Sequence, residues 1–128
     1  MKKLIIILLA VMMLTACGQN KEKEQEAVYV NITAEEAKAL MDTEEGYVIL
    51  DVRTQEEYEE GHIPGAILIP DFEIEAKAED VLTDKNQMIL VYCRSGRRSK
   101  LAAQSLVELG YTDIREFGGI IDWPYEVE

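Results

Sequence analysis

Two short apolar runs constrain the fold of this chain more than any other feature of its sequence. They lie at 47–52 (YVILDV) and 88–92 (MILVY). Each has the length of a buried strand, and neither shows the strict polar and apolar alternation of a strand with one face in water. Both runs therefore predict strands that are covered on both faces, as the strands of a parallel sheet are.

Helix signals alternate with the strand signals along the chain. Capping boxes at 33–36 and 54–57 begin two helices, of which the first ends near Met41 and the second at Gly61. Weaker patterns predict further helices at 72–81 and 99–109 and further strands at 28–31, 66–69 and 112–117. This alternation predicts an α/β fold of three layers (α/β/α), with a central, mostly parallel sheet of about five strands. Functional groups are then expected beyond the carboxyl ends of the strands.

The amino-terminal residues have the composition of a targeting segment. Lys2 and Lys3 precede an apolar run at 4–14, which is shorter than the roughly 20 residues that a permanent membrane span needs. The residues at 14–17 (LTAC) resemble the bacterial lipobox, which implies cleavage before Cys17 and acylation of that residue. The alternative is an ordinary secretory signal followed by an incidental cysteine.

This resemblance predicts the organisation of the whole chain. We expect a lipoprotein signal peptide at 1–16, a lipidated Cys17 with a flexible polar tether to residue 27, and one folded domain at 28–128. The domain would then lie outside the cytoplasm, attached by lipid to the cell membrane or outer membrane of a bacterium.

The net charge limits the partners. It is -12 at pH 7, with 25 acidic and 13 basic residues. So acidic a chain argues against nucleic acid, and it would be repelled by an anionic membrane surface, so the lipid alone would hold it there.

The cysteine count limits the chemistry. Cys17 and Cys93 are the two cysteines and His62 is the one histidine, so lipidation of Cys17 would leave Cys93 as the single thiol. The sequence therefore predicts neither an internal disulfide, nor a zinc cluster of cysteine and histidine, nor a Cys-x-x-Cys redox pair, and it indicates no metal or other cofactor.

Cys93 lies where the strand at 88–92 ends and shortly before the helix at 99–109. Four cations crowd into this stretch of an otherwise acidic chain: Arg94, Arg97, Arg98 and Lys100. Successive backbone amides in such a loop can form a nest for an anion, and Gly96 supplies the necessary backbone freedom. Helix amino-terminal amides and guanidinium groups favour a thiolate, the nucleophilic form, so we expect Cys93 to be reactive rather than an inert buried cysteine.

The segment CRSGRRS at 93–99 resembles the active-site loop of rhodaneses. Four other segments resemble that family in the same order, namely DVR at 51–53, GHIPGA at 61–66, LGY at 109–111, and GG at 118–119 before Trp123. The resemblance covers about 28–125 and implies a single-domain, monomeric sulfurtransferase. In such an enzyme Cys93 takes a sulfane sulfur from thiosulfate or a persulfide, holds it as a persulfide, and passes it to a thiol or cyanide.

Asp51 and Arg53 are charges close to a core and so need partners, whereas His62 lies in the segment that resembles the family's GHIPGA pattern. Asp51 is expected to fix neighbouring backbone, Arg53 to pair with Glu56 or Glu57 of the following helix, and His62 to fix a turn, so that all of Asp51, Arg53 and His62 support the site. Substrate binding falls to the other loop residues, which are Arg94, Ser95, Gly96, Arg97, Arg98 and Ser99.

Three other functions share parts of this pattern. A phosphatase or arsenate reductase also uses a cysteine in an anion-binding loop, but it needs an arginine after five intervening residues, and Ser99 stands there. A rhodanese-like interaction or regulatory module would keep the fold without turnover. A persulfide carrier or redox sensor would need a reactive Cys93 but no thiosulfate turnover.

Overall fold

The computed structural model describes residues 28–128. The predicted signal peptide, Cys17 and the predicted tether lie outside these residues, so the expectations for them stay predictions. Within 28–128 no helix has both the length and the apolar character needed to cross a membrane.

Five strands alternate with four helices along the described part of the chain. The strands are β1 (Val30–Asn31), β2 (Val48–Asp51), β3 (Ile67–Leu68), β4 (Ile89–Cys93) and β5 (Ile114–Gly119). The helices are α1 (Ala34–Thr43), α2 (Gln55–Glu60), α3 (Ile74–Val81) and α4 (Arg97–Glu108). Short 3-10 turns at Asp71–Glu73 and Ile120–Asp122 follow β3 and β5.

The strands form one sheet in the order β1-β5-β4-β2-β3, with every neighbouring pair parallel. This confirms the predicted α/β fold with five strands. Two boundaries differ from the prediction in ways that matter for the loop, because β4 includes Cys93 and α4 begins at Arg97 rather than Ser99. The loop between them is therefore only three residues long.

Each face of the sheet carries its own apolar core. The β4 side chains alternate between them, so Leu90 and Tyr92 join the core that contains Phe117 and Trp123, whereas Val91 and Cys93 join the core beneath α3 and α4. All five β4 residues are buried, which explains why the strand reads as a continuous apolar run. The alternation points Cys93 toward α4.

Asp51 and Arg53 form a buried ion pair at the carboxyl end of β2. Arg53 donates through Nη2 to Asp51 Oδ2 at 2.7 Å and to the carbonyl oxygen of Gly61 at 2.7 Å. Tyr92 also donates to Asp51, over 2.7 Å, and burial together with this hydrogen bond raises the pKa of Tyr92 far above its usual range. The backbone amide of Ile63 completes the network by donating to the Tyr92 hydroxyl. The network ties the segment after α2 to β2 and β4.

The expected pairing of Arg53 with Glu56 or Glu57 is therefore wrong. Arg53 lies against Asp51, two residues earlier. Glu57 is engaged elsewhere, because Arg98 in the first turn of α4 donates to both its oxygens over 2.8 and 3.0 Å.

Glu57 serves two helices at once. Its Oε1 accepts the backbone amide of Thr54 at 2.9 Å as part of the α2 capping box, while its carboxylate pairs with Arg98. The Arg98 hydrogen bonds, followed by that of Thr54, lower the pKa of Glu57 from 4.5 to about 2. The pair thus joins the beginnings of α2 and α4.

We predict that Glu57→Gln removes part of the acid sensitivity of folding. A carboxyl group whose pKa is lowered in the folded state stabilises it fully above its ordinary value of 4.5, and this contribution is lost as the pH falls toward 2. Glutamine can still cap α2 but cannot form the ion pair, so the variant should be less stable by about 1 kcal/mol at pH 7 and nearly equal to wild type at low pH. Urea unfolding across this pH range measures the free energy of unfolding of wild type and of the variant.

Glu36→Gln is the matched control, because Glu36 fills the corresponding position in the α1 capping box and pairs with no cation among the described residues. Its difference from wild type should not depend on pH in this way. An equal pH dependence in wild type and Glu57→Gln would contradict the role of the Glu57–Arg98 pair.

Candidate active site

Cys93 lies at the carboxyl end of β4, with only 1% of its surface exposed. The backbone amide of Gly96 donates to its Sγ over 3.0 Å. Gly96 is the residue before the first turn of α4, and its φ of 110° is a left-handed conformation that glycine adopts without strain. This conformation turns the amide back onto the sulfur, so a donor of the loop is already aimed at the reactive atom.

The loop rests directly on Gly119, the residue that pairs with Cys93 across β4 and β5. A Cβ atom at Gly119 would lie 1.9 Å from the carbonyl oxygen of Arg94 and 2.5 Å from the Cα of Ser95. The amide of Ile121 in the following turn donates to the same Arg94 carbonyl over 3.2 Å. Close backbone contact with β5 therefore determines where the loop lies.

The four cations of the loop region have different surroundings. Arg94, Arg97 and Lys100 are exposed, whereas Arg98 is partly buried and held by Glu57. Arg94 and Arg97 have no ion-pair partner among the described residues, and Lys100 is exposed beside Glu116, so all three can meet an incoming anion. Arg98 instead holds the beginning of α4 in place.

The two serines of the loop also differ. Ser95 is exposed, whereas Ser99 is completely buried. The Ser99 hydroxyl lies 3.4 Å from Cys93 Sγ and 3.1 Å from the carbonyl oxygen of Gly96, and it contacts the carboxylate of Glu116. Ser99 therefore links the sulfur to a buried acid.

Glu116 is the residue of this site that the sequence analysis missed. It lies on β5, is 1% exposed, and accepts hydrogen bonds from the amide of Gly118 at 2.9 Å and from the side chain of Asn31 at 2.6 Å. The signal was present in the sequence, because Glu116 lies two residues after Ile114 and so shares its strand face, which packs against α4. An acid on a core-facing position of a strand indicates a buried carboxylate with partners.

The three residues expected to support the site lie outside the loop. Asp51 and Arg53 belong to the buried network at the carboxyl end of β2. His62 stacks on Tyr58 at 3.8 Å, approaches the Tyr58 carbonyl oxygen at 2.9 Å through Nδ1, and exchanges two backbone hydrogen bonds with Glu128. These contacts brace the segment after α2, and none of them reaches Cys93.

A cavity of about 480 Å³ lies away from this chemistry. Its lining includes Tyr47, Ile49, Ile63 and Trp123 and no residue of the loop at 93–99. It therefore belongs to the sheet face opposite Cys93. Trp123 packs there between Phe117 and Tyr125, as expected for a packing residue.

Comparisons with known proteins place this geometry in a family. The profile of the rhodanese-like domain matches residues 33–124. YrkF of Bacillus subtilis is 37% identical over 112 residues, which are 87% of this chain and 60% of that protein. Thiosulfate sulfurtransferase PspE of Escherichia coli is 41% identical over 73 residues, which are 57% of this chain and 70% of that protein.

A solved structure agrees with these matches. The rhodanese-like domain protein of Staphylococcus aureus superposes with a TM-score of 0.66 at 32% identity, over 77% of this chain and 96% of that one. The chain thus has the rhodanese fold over most of the described residues, although it spans only 60% of the length of YrkF. On the family profile and on these relatives, this chain belongs to the rhodanese-like domain family.

Proposed function

We propose that this protein is a sulfurtransferase that carries a sulfane sulfur as a persulfide on Cys93, with thiosulfate or a persulfide as donor and a thiol or cyanide as acceptor. The observation that carries the proposal is the Gly96 amide, which donates to the buried sulfur of Cys93 over 3.0 Å. An amide aimed at this atom can also donate to the sulfur when it carries a negative charge.

The first half of the reaction loads the cysteine. The sulfur of Cys93, after losing its proton, attacks the outer sulfur of thiosulfate. A new sulfur–sulfur bond forms, the bond within thiosulfate breaks, and sulfite leaves with the electron pair of that bond. The exposed side chains of Arg94, Arg97 and Lys100 favour the approach of the anionic donor, because they form a local positive region on an otherwise acidic chain.

The second half of the reaction removes the sulfur from Cys93. A thiolate or cyanide attacks the terminal sulfur of the persulfide, the sulfur–sulfur bond to Cys93 breaks, and the Cys93 thiolate is restored. Division of one transfer into two steps through a covalent intermediate gives ping-pong kinetics. The loop amide is available to the sulfur in both steps.

The loop favours sulfur over phosphate. A phosphatase of the cysteine type needs an arginine after five intervening residues to clamp phosphate. Ser99 occupies that position and is buried against Glu116, and the neighbouring Arg98 is held by Glu57. Neither side chain offers a guanidinium group to a phosphate bound at Cys93.

We predict that Cys93→Ser abolishes sulfur transfer from thiosulfate to cyanide. Loss of the nucleophile should lower kcat by at least about 10³-fold, because no covalent intermediate can form. Thiocyanate formation by the purified protein measures the rate, and wild type should show the parallel lines of a ping-pong reaction. Transfer that survives in Cys93→Ser would contradict the proposal.

We predict that Gly119→Ala impairs catalysis through the position of the loop. The added methyl group would overlap the Arg94 backbone, so the loop must shift, and misplacement by about 1 Å can cost roughly 10²-fold in rate. Gly61→Ala is the control, because a Cβ there meets nothing within 4 Å. Equal kcat/KM values for the two variants would show that contact with Gly119 does not position the loop.

We further propose that a lipidated Cys17 anchors the domain to a bacterial membrane outside the cytoplasm. The supporting observation is the sequence LTAC at 14–17 after a short apolar run. Cys17→Ser should move the protein from the membrane fraction to the soluble fraction and leave its specific activity unchanged. Membrane retention of Cys17→Ser in cell fractionation would overturn this proposal.

A further inference from the structure

Glu116 is a buried carboxylate that the reaction described above does not use. It lies at the end of a hydrogen-bond chain that begins at Cys93 and passes through Ser99. Two further donors contact the carboxylate, namely the Gly118 amide at 2.9 Å and the Asn31 side chain at 2.6 Å, and Lys100 forms an ion pair with it at 3.6 Å. These contacts satisfy the buried carboxylate independently of Cys93.

Ser99 has a single hydroxyl proton, and the acceptor of that proton's hydrogen bond sets the direction of the hydrogen-bond chain. Four acceptors lie near it, namely Cys93 Sγ, the carbonyl oxygens of Gly96 and Gly118, and Glu116. A carboxylate oxygen accepts a stronger hydrogen bond than a carbonyl oxygen or a thiol, so Ser99 donates its hydrogen bond to Glu116. Ser99 then faces Cys93 with a lone pair, and the thiol of Cys93 donates to it over 3.4 Å.

We propose that Glu116 is a positioning residue that acts on Cys93 through Ser99 and receives the proton that the thiol loses. In this step the S–H bond of Cys93 breaks and its proton binds Ser99 Oγ. The original Ser99 proton passes to Glu116 Oε2, and the electron pair of the S–H bond stays on sulfur. The hydrogen bonds of the chain then reverse, so that Ser99 donates to the thiolate. This inference rests on the proposed sulfur transfer, which needs that thiolate.

The electrostatics of burial favour this route over loss of the proton to water. If Cys93 lost its proton to solvent, a thiolate and a carboxylate would face each other across one hydroxyl group in a place with almost no solvent contact. Like charges so close together and so poorly screened repel strongly. Transfer along the chain keeps a single negative charge on the three residues and moves it onto the sulfur.

The other charged groups around the chain do not replace this route. Lys100 of α4 pairs with Glu116 from its exposed side, and β1 contributes only the uncharged Asn31. Arg98 of α4 lies near enough to interact with the charge of Cys93, but its own charge is compensated by Glu57 and Asp71. None of these groups can accept a proton from Cys93 at neutral pH.

The test is the pH dependence of Cys93 alkylation, which requires neither thiosulfate nor an acceptor. Purified wild type, Glu116→Gln and Ser99→Ala are treated with iodoacetamide from about pH 5 to pH 9, and modification is followed by mass spectrometry on the peptide that contains Cys93. Glutamine has the size of glutamate and accepts the Ser99 hydrogen bond, but it cannot take the proton. We expect both variants to react roughly 10- to 100-fold more slowly than wild type near pH 6 and to approach it near pH 9, where hydroxide removes the proton.

Glu108→Gln is the control, because it removes one exposed carboxylate at the end of α4. It should follow the wild-type profile. If Glu116→Gln fails to fold, Ser99→Ala decides alone, since it interrupts the hydrogen-bond chain and leaves the contacts of Glu116 with Gly118, Asn31 and Lys100 in place. Wild-type profiles in the folded variants, or faster alkylation near pH 6, would overturn the inference. Sulfur transfer is measured separately by thiocyanate formation. A failure of the proposed sulfur transfer can therefore be told apart from a failure of the proton route, which is measured by alkylation alone.

Discussion

The contact between the 93–99 loop and Gly119 is the constraint on which the rest of the site depends. The carboxyl ends of β4 and β5 lie side by side in the sheet, and the missing side chain at Gly119 lets the Arg94 backbone lie directly on it. The loop can then turn within three residues, place Gly96 in a left-handed conformation and begin α4 at Arg97. Without this approach the Gly96 amide would not reach the sulfur of Cys93.

Two buried acids complete the arrangement of the site and its framework. Asp51 and Glu116 are both almost inaccessible to solvent, and each accepts hydrogen bonds from two or more groups. Their tasks differ. Asp51 joins β2 to Arg53 and Tyr92 and so holds the framework, whereas Glu116 reaches the nucleophile through Ser99. In both cases hydrogen-bond partners satisfy a carboxyl group that would otherwise be costly to bury.

Much of the fold was predictable from local sequence, because the signals are local. The β4 run is apolar since both faces of that strand are buried, and the capping boxes at Thr33 and Thr54 form as predicted. Cys93 and its loop could also be located, since a strand, a lone cysteine and a cluster of cations follow one another in the chain.

The side-chain and backbone contacts that the sequence did not reveal depend on residues that are distant in sequence. Glu57 pairs with Arg98, which lies 41 positions later in the sequence. Arg53 pairs with Asp51 instead of with Glu57. Glu116 meets Ser99 across 17 positions, and the role of Gly119 is visible only when β5 lies beside β4. Such contacts are set by the register of the sheet, which no local pattern specifies.

The most direct test of sulfur transfer is whether Cys93 itself becomes loaded with sulfur. The purified protein, incubated with thiosulfate and without any acceptor, should release one sulfite per protein molecule and then stop. The peptide that contains Cys93 should at the same time gain the mass of one sulfur atom, which a reducing thiol removes. Release of no sulfite, or an added sulfur on any residue other than Cys93, would contradict the account.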